Sequence, residues 1–173
     1  LPDKILSGVL GWIGKGISSI FGGGTSYKLM ESGVRLGEIS IEELQAGVDA
    51  AVQEYAYIRK KTDGGMFGST KRKYYYRYGE VDDEITGLFT QVYAGLSDTI
   101  LSLTAGLGGD MEKAMSYVFS GEYINLKGMD AGEIHETISA VISTAGDTAA
   151  KEVLGDIILR YQKIDEGLLE TAV

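Results

Sequence analysis

Few residues in this sequence are of the types that carry out chemistry. His135 is the only histidine, and Glu133 and Glu136 flank it on a predicted helix. One imidazole and two carboxylates can in principle hold a metal ion, but positions i−2 and i+1 do not share the helix face of residue i. A histidine on a helix surface is the favoured interpretation, and we predict no metal site.

A second candidate for chemistry is an acidic cluster made of Glu80, Asp82, Asp83 and Glu84. Such a cluster could contain a general acid and a general base. Negative charge at the start of a helix complements the helix dipole and explains the same residues. The sequence has no cysteine and no G-x-S-x-G motif, and in GWIGKGISS a glycine follows the lysine where a phosphate loop needs Ser or Thr. We therefore predict neither enzymatic activity nor a cofactor.

The strongest local charge is basic, although the chain as a whole is acidic. It carries 16 Lys and Arg against 25 Asp and Glu in 173 residues, a formal net charge of −9 at pH 7. A surface of that sign repels the phosphate backbone of nucleic acids. One predicted β-hairpin nevertheless contains seven basic residues with tyrosines interleaved: Arg59, Lys60, Lys61, Lys71, Arg72, Lys73 and Arg77, with Tyr74, Tyr75, Tyr76 and Tyr78.

Three interpretations fit this basic hairpin. Tyrosines among cations can form a stacking platform for single-stranded nucleic acid. Lysines on an exposed edge strand can be solvated and discourage unwanted strand pairing. The third interpretation is docking to an acidic neighbouring protein in an assembly. We predict protein docking, and no specific binding of nucleic acid, because the basic patch lies on an otherwise acidic chain.

The opening segment, LPDKILSGVLGWIGKGISSIFGGG, predicts an amphipathic helix with a wide apolar stripe. Its opposite half carries small residues and two lysines, and the glycines at 22–24 form a hinge. We predict that the helix packs against copies of itself in an assembly, with membrane insertion as a further role. The residues concerned are Ile5, Leu6, Val9, Leu10, Trp12, Ile13, Ile17, Ile20 and Phe21 for the stripe, and Gly22, Gly23 and Gly24 for the hinge.

Residues 25–173 predict one α+β domain, in which helices pack on a small, mainly antiparallel sheet. YKLM and VRLGEIS predict a short hairpin or two strand pieces around Glu31-Ser32-Gly33. VQEYAYIRKKT and KRKYYYRYGEV predict the basic hairpin, with a glycine-rich turn between them. SYVFSGEYINLK predicts a strand with a bend at Ser120-Gly121.

Four helices are predicted from capping residues and apolar periodicity. Two of them begin with a residue followed three positions later by a glutamate: Ser40 with Glu43, and Asp130 with Glu133. The predicted helices cover residues 40–47, 82–106, 130–147 and 153–168. The predicted apolar face of the second consists of Ile85, Leu88, Phe89, Val92, Leu96, Ile100 and Leu103.

Two segments near the end of the sequence carry a family resemblance. INLKGMDAGEIHETISAVISTAGDTAAKEVL contains a strand that ends in a Leu-Lys-Gly turn, from Ile124 to Gly128, and a helix that closes on Gly146-Asp147. YQKIDEGLLETAV contains an ending from Glu166-Gly167 to Glu170-Thr171. With the upstream FGGGTSYKLMESGV and the tyrosine-rich hairpin, these segments resemble the C-terminal part of tail tape-measure proteins of long-tailed bacteriophages.

The resemblance implies a structural virion protein. Tape-measure proteins extend down the tail lumen and set the tail length, and during infection they leave the tail and help to conduct DNA across the host envelope. The implied partners are tail hub and tip proteins, further copies of the chain, with a trimer favoured, and the host membrane during ejection. We expect a processed product or a piece of a longer protein. The alternative is a stand-alone membrane-active or toxin-like protein, with a pore-forming opening helix and a binding head.

Overall fold

The computed structural model describes residues 25–161, and these form an α+β fold with helices packed on an antiparallel sheet. The predicted opening helix and its glycine hinge lie outside the described residues. Four strands form the main sheet in the order β4-β3-β1-β6, and β2 pairs with β5 in a separate ladder. The strands are β1 (Thr25–Leu36), β2 (Ile39–Ser40), β3 (Val52–Thr62), β4 (Lys71–Glu80), β5 (Val118–Phe119) and β6 (Glu122–Asn125).

The helices pack against one face of the main sheet. They are α1 (Ile41–Gln45), α2 (Asp83–Gly106), α3 (Met111–Met115) and α4 (Ala131–Tyr161). Val34 and Ile124 of the sheet share one buried core with Phe89 of α2 and with Ile134 and Ile138 of α4. This packing leaves the other face of the sheet without a described helix on it.

The predicted capping boxes are confirmed at α1 and α4. The backbone N–H of Glu43 donates to the Ser40 hydroxyl at 3.1 Å, and the Glu43 carboxylate accepts from the Ser40 N–H at 2.8 Å. The same exchange joins Asp130 and Glu133, with both distances 2.9 Å. After α1, Gly47 adopts a φ of +83°, a conformation that favours glycine and ends the helix.

The prediction of a hairpin or of two strand pieces around Glu31-Ser32-Gly33 is wrong, because these residues continue a single strand. β1 pairs antiparallel with β3 from Thr25 opposite Thr62 to Leu36 opposite Val52, with a bulge between residues 29 and 31. The glycine that resembled a turn residue serves a different purpose. A Cβ at Gly33 would lie 1.9 Å from the carbonyl oxygen of Ile124 on β6, so glycine is required for β6 to pair with β1.

The two predicted helices, 130–147 and 153–168, are joined in one helix as far as residue 161, where the described residues end. α4 runs without interruption for 31 residues through Gly146-Asp147, so this pair does not end a helix as predicted. A Cβ at Gly146 would lie 3.1 Å from the Leu96 side chain of α2. The glycine therefore brings α4 close to α2. Helix α3 has no counterpart among the predicted helices. The single strand predicted over SYVFSGEYINLK is two strands, β5 and β6, which belong to separate ladders, and the break between them falls at Ser120-Gly121.

The predicted apolar face of α2 is confirmed. Ile85, Phe89 and Ile100 are buried in the core, and the four remaining residues are partly buried and pack against it: Leu88, Val92, Leu96 and Leu103. Two polar residues are fully buried because each hydroxyl donates to a carbonyl four residues earlier, Ser97 to Tyr93 at 2.9 Å and Thr104 to Ile100 at 2.7 Å. The buried residues of α2 are Ile85, Phe89, Tyr93, Ser97, Ile100 and Thr104.

Tyr93 should make the protein lose stability at alkaline pH. Its ring meets that of Phe119 edge-on, with centroids 5.1 Å apart, and burial, with the nearby Glu122 carboxylate, raises its pKa to about 12. The pKa of tyrosine in an unfolded chain is about 10. Between about pH 10 and 12 the unfolded chain therefore loses a proton that the native state keeps, and the free energy of unfolding falls.

Tyr93→Phe is expected to reduce this alkaline loss in the free energy of unfolding by about 2 kcal/mol. The measurement is the urea midpoint at a series of pH values from about 8 to 11.5. The difference in stability between wild type and variant should be constant below about pH 9.5 and should then shift in favour of the variant, because wild type weakens faster. A variant that weakens as steeply as wild type would contradict the assignment.

Candidate functional site: a tyrosine-lined sheet face

The face of the main sheet that no described helix covers is lined with tyrosines. Side chains alternate along each strand, so residues two apart share a face. The register of β3 with β4 places Tyr55 opposite Tyr78, and Tyr57 opposite Tyr76. Tyr75 pairs with Ile58 and therefore points to the other face. We name the following residues the tyrosine face: Tyr55, Tyr57, Tyr74, Tyr76, Tyr78 and Tyr123.

Tyr76 lies at the centre of this surface. Its ring centroid is 4.7 Å from that of Tyr57, 5.1 Å from Tyr123, 6.1 Å from Tyr78 and 6.2 Å from Tyr55. These separations are in the range of favourable aromatic pairs. The rings hold one another in place and form a continuous, rigid platform.

Tyr55 belongs to the tyrosine face but is fully buried, with no exposed surface. The edge of its ring meets Tyr123 at 90°, with centroids 4.9 Å apart. Its hydroxyl donates to the Glu31 carboxylate at 3.3 Å. Burial, and then the charge of Glu31, raise the pKa of Tyr55 well above its ordinary value, so the phenol stays neutral.

Arg35 contacts two tyrosines at one end of the tyrosine face. Its guanidinium lies 5.3 Å from the ring centroid of Tyr78 and 5.7 Å from that of Tyr123. It also donates to the side-chain oxygen of Gln53 at 2.7 Å. The hydroxyls of Tyr78 and Tyr123 are 2.6 Å apart, and this hydrogen bond raises the pKa of Tyr78.

An open cleft of about 380 Å³ adjoins this end of the face. Arg35 and Tyr123 line one part of it, and Glu38 and Glu122 place two carboxylates in the remainder. The volume is at the lower end of the range for ligand pockets. The Arg35 guanidinium contacts two rings and Gln53, so the cleft adjoins the tyrosine face at this end.

The seven predicted docking residues all lie on the hairpin of β3 and β4, but not on one face. The register pairs Lys61 with Arg72 and Lys60 with Lys73. Alternation then places three of the basic residues on the tyrosine face and four on the opposite face: Arg59, Lys61 and Arg72 on the first, and Lys60, Lys71, Lys73 and Arg77 on the second. The prediction of a basic hairpin is confirmed, and its role in docking stays a prediction.

The turn of this hairpin contains a feature that the sequence analysis missed. Met66 is 91 % exposed and Phe67 is 98 % exposed, in a single 3₁₀ turn over Gly65–Phe67. The turn is tight, because a Cβ at Gly64 would lie 2.4 Å from the carbonyl carbon of Gly68. The available signal was two large apolar residues between two predicted strands, with no periodic partner.

The remaining candidates do not assemble into a site. Asp83 and Glu84 lie in the first turn of α2, and His135 is half-buried on α4. Within residues 25–161, no group of three or more His, Cys, Asp or Glu side chains is placed to hold a metal ion. None of the helices in that same part of the chain is both long and apolar enough to cross a bilayer.

The described residues thus define an α+β domain whose most developed surface is an aromatic sheet face next to a basic hairpin. Large aromatic side chains with a polar end are enriched in binding surfaces, where they give contact area at a small entropic cost. Comparison with protein-family models, with curated proteins and with solved structures found no match.

Proposed function

We propose that this chain is the C-terminal region of a tail tape-measure protein of a long-tailed bacteriophage. In this role it is a structural virion protein, without catalysis or cofactor, that sits at the tail tip. It helps to set the tail length and assists DNA ejection across the host envelope. The sequence resemblance supports the placement in the tail, and the tyrosine face is the observation that supports docking within an assembly.

The tyrosine face suits a protein partner. Tyr74, Tyr76, Tyr78 and Tyr123 each expose between 42 % and 51 % of their surface, so apolar ring area remains available for contact. Tyrosine is among the residues that dominate binding energy in protein interfaces. The basic residues at the outer end of the face would steer it to an acidic surface on a tail hub or tip protein, or on another copy of the chain.

Specific nucleic-acid binding is not part of this proposal. The four exposed tyrosines could stack bases, and several cations, Arg35 and Arg59 among them, share their face. The net charge of −9 opposes the approach of a phosphate backbone. Any retention of DNA or RNA on a filter should therefore be weak and should disappear as salt is raised.

The length of the phage tail tests the proposed function. A tape-measure role requires that the reading frame continue upstream through helical sequence. An α-helix rises about 1.5 Å per residue, so an in-frame deletion of about 100 upstream residues should shorten the tail by about 150 Å in electron micrographs. A deletion that leaves the tail length unchanged would contradict the proposal.

The docking surface can be tested in the same phage. Tyr76→Glu places a charge at the centre of the tyrosine face and should lower the yield of tailed particles. Tyr75→Glu, on the opposite face of the same strand, is the matched control. The alternative of a stand-alone membrane-active or toxin-like protein predicts that the chain is absent from purified particles. Its proposed effector, the opening segment, lies outside the described residues.

A further inference from the structure

The end of the β3–β4 hairpin combines an apolar tip with a dense set of cations. Met66 and Phe67 are the most exposed of the large apolar residues that the structure describes. Six basic residues follow within three residues of the ladder's end on either strand. They are Arg59, Lys60 and Lys61 on β3, and Lys71, Arg72 and Lys73 on β4.

The charge at this end is almost entirely of one sign. Asp63 is the only acidic residue between positions 55 and 79. Its carboxylate lies 3.4 Å from the ammonium of Lys61 and so compensates one cation. The six basic residues at this end therefore exceed the single acidic residue by five charges, on a chain whose net charge is −9.

The cations surround the hairpin. Lys61 and Arg72 lie on the tyrosine face, whereas Lys60 and Lys73 lie on the opposite face, where the Lys60 ammonium is 5.8 Å from the Tyr27 ring centroid. A strand rises about 3.3 Å per residue, so the six cations occupy about 10 Å of hairpin behind the tip. We name these six basic residues the basic collar of the tip that carries Met66 and Phe67.

We propose that this tip inserts into the interface of a membrane that contains anionic lipids. Met66 and Phe67 enter the boundary between headgroups and acyl chains, and the basic collar meets the lipid phosphates. Interfacial protein segments bury their apolar side about 5–10 Å deep, and the cations directly behind the tip would then lie at the level of the lipid headgroups. Clusters of Lys and Arg next to a membrane are attracted by its negative surface potential.

The collar geometry favours a bilayer over other anionic partners. A strand of nucleic acid, or a flat acidic protein surface, contacts one face of a hairpin and leaves the cations of the other face in water. A layer of headgroups encloses an inserted tip and reaches both faces. Tyr27 and Tyr74, on opposite faces of the collar, are of the residue type that concentrates at membrane–water interfaces.

This inference goes beyond the proposed function and does not depend on it. If upstream deletions leave the tail length unchanged, the tape-measure role is contradicted, but the observations on the exposed tip and its collar still hold. Conversely, if the tip does not bind membranes, the result of the tail-length test is not affected. The two can therefore fail separately.

The test is sedimentation of the full chain with vesicles of phosphatidylcholine, with or without about a quarter of phosphatidylglycerol, at about 0.1 M salt. Met66→Asp with Phe67→Asp should weaken binding to the anionic vesicles by at least about tenfold. Both side chains are exposed, so the melting temperature should not change. Val48→Asp, at an apolar residue exposed by 46 % elsewhere, is the matched control and should bind as wild type does.

A fluorescent reporter gives a second readout. The only tryptophan is Trp12, so Phe67→Trp in a Trp12→Phe background reports on the tip alone. Its emission should shift to shorter wavelength with anionic vesicles and much less with phosphatidylcholine alone.

Three results would overturn the proposal. The first is a Met66→Asp, Phe67→Asp variant that binds as wild type does, which would assign membrane binding to another part of the chain. The second is wild-type protein that binds no vesicles but binds poly-L-glutamate, which would assign the collar to an acidic protein. The third is binding to a single-stranded oligonucleotide with none to vesicles.

Discussion

A Gly33→Ala protein is expected to lose about 3 kcal/mol of its free energy of unfolding. Gly33 lies between two neighbours in the sheet, with Tyr55 opposite it on β3 and Asn125 opposite it on β6. An added Cβ would lie 1.9 Å from the Ile124 carbonyl oxygen, which is a backbone atom and cannot rotate away. β6 must therefore shift away from β1, and Ile124, Leu126 and Tyr123 shift with it.

Gly95→Ala is the matched control for this substitution. Gly95 lies within α2, and a Cβ there would meet no atom within 4 Å. Alanine in a helix is favoured over glycine by about 0.5–1 kcal/mol, so this variant should be slightly more stable than wild type. Urea unfolding at neutral pH measures both variants. A loss below about 1 kcal/mol for Gly33→Ala would show that β6 does not approach β1 so closely.

Tyr55→Ala is expected to cost about 3–5 kcal/mol and to disorganise the tyrosine face. Tyr55 is fully buried beneath Tyr76 and Tyr123, so its removal leaves a cavity under the centre of the platform. Tyr74→Ala removes the same side chain from a position that is 51 % exposed and should cost less than about 1 kcal/mol. A similar loss from both variants would contradict the role assigned to Tyr55.

Tyr55→Phe separates the hydroxyl from the ring. It removes the hydrogen bond to Glu31 and leaves the packing intact, so a loss of about 1 kcal/mol is expected. Near-ultraviolet circular dichroism should report on the platform itself. The signal of the clustered tyrosines should fall in Tyr55→Ala and remain in Tyr55→Phe.

Much of the local structure was predictable because it depends on residues that are near one another in the sequence. The capping boxes at Ser40 and Asp130 formed as predicted, since each needs only a side chain and a backbone N–H three residues apart. The basic hairpin also formed as predicted, with Thr62 opposite Lys71 at its end. Alternation along β3 places Val52, Ala56 and Ile58 together on the face that packs against the core.

Two of the wrong predictions share one cause, because in each a glycine was interpreted as the end of an element. Gly33 and Gly146 both resemble the end of an element. In the fold each is a point of close approach, Gly33 to Ile124 of β6 and Gly146 to Leu96 of α2. Nothing within a few residues of either glycine indicates which distant segment will pack on it.

The local chemistry of this protein follows from its sequence. The chain is acidic and has one basic, tyrosine-rich hairpin, and neighbouring residues set the caps, the strand alternation and the turn. How these residues are grouped depends on contacts between distant segments. Pairing of β6 with β1 brings Tyr123 to Tyr76 across 47 positions of sequence, and the pleat divides the basic residues between two faces. The reason is physical: periodicity within a segment places side chains on a face, but long-range packing selects which face is covered and which remains open.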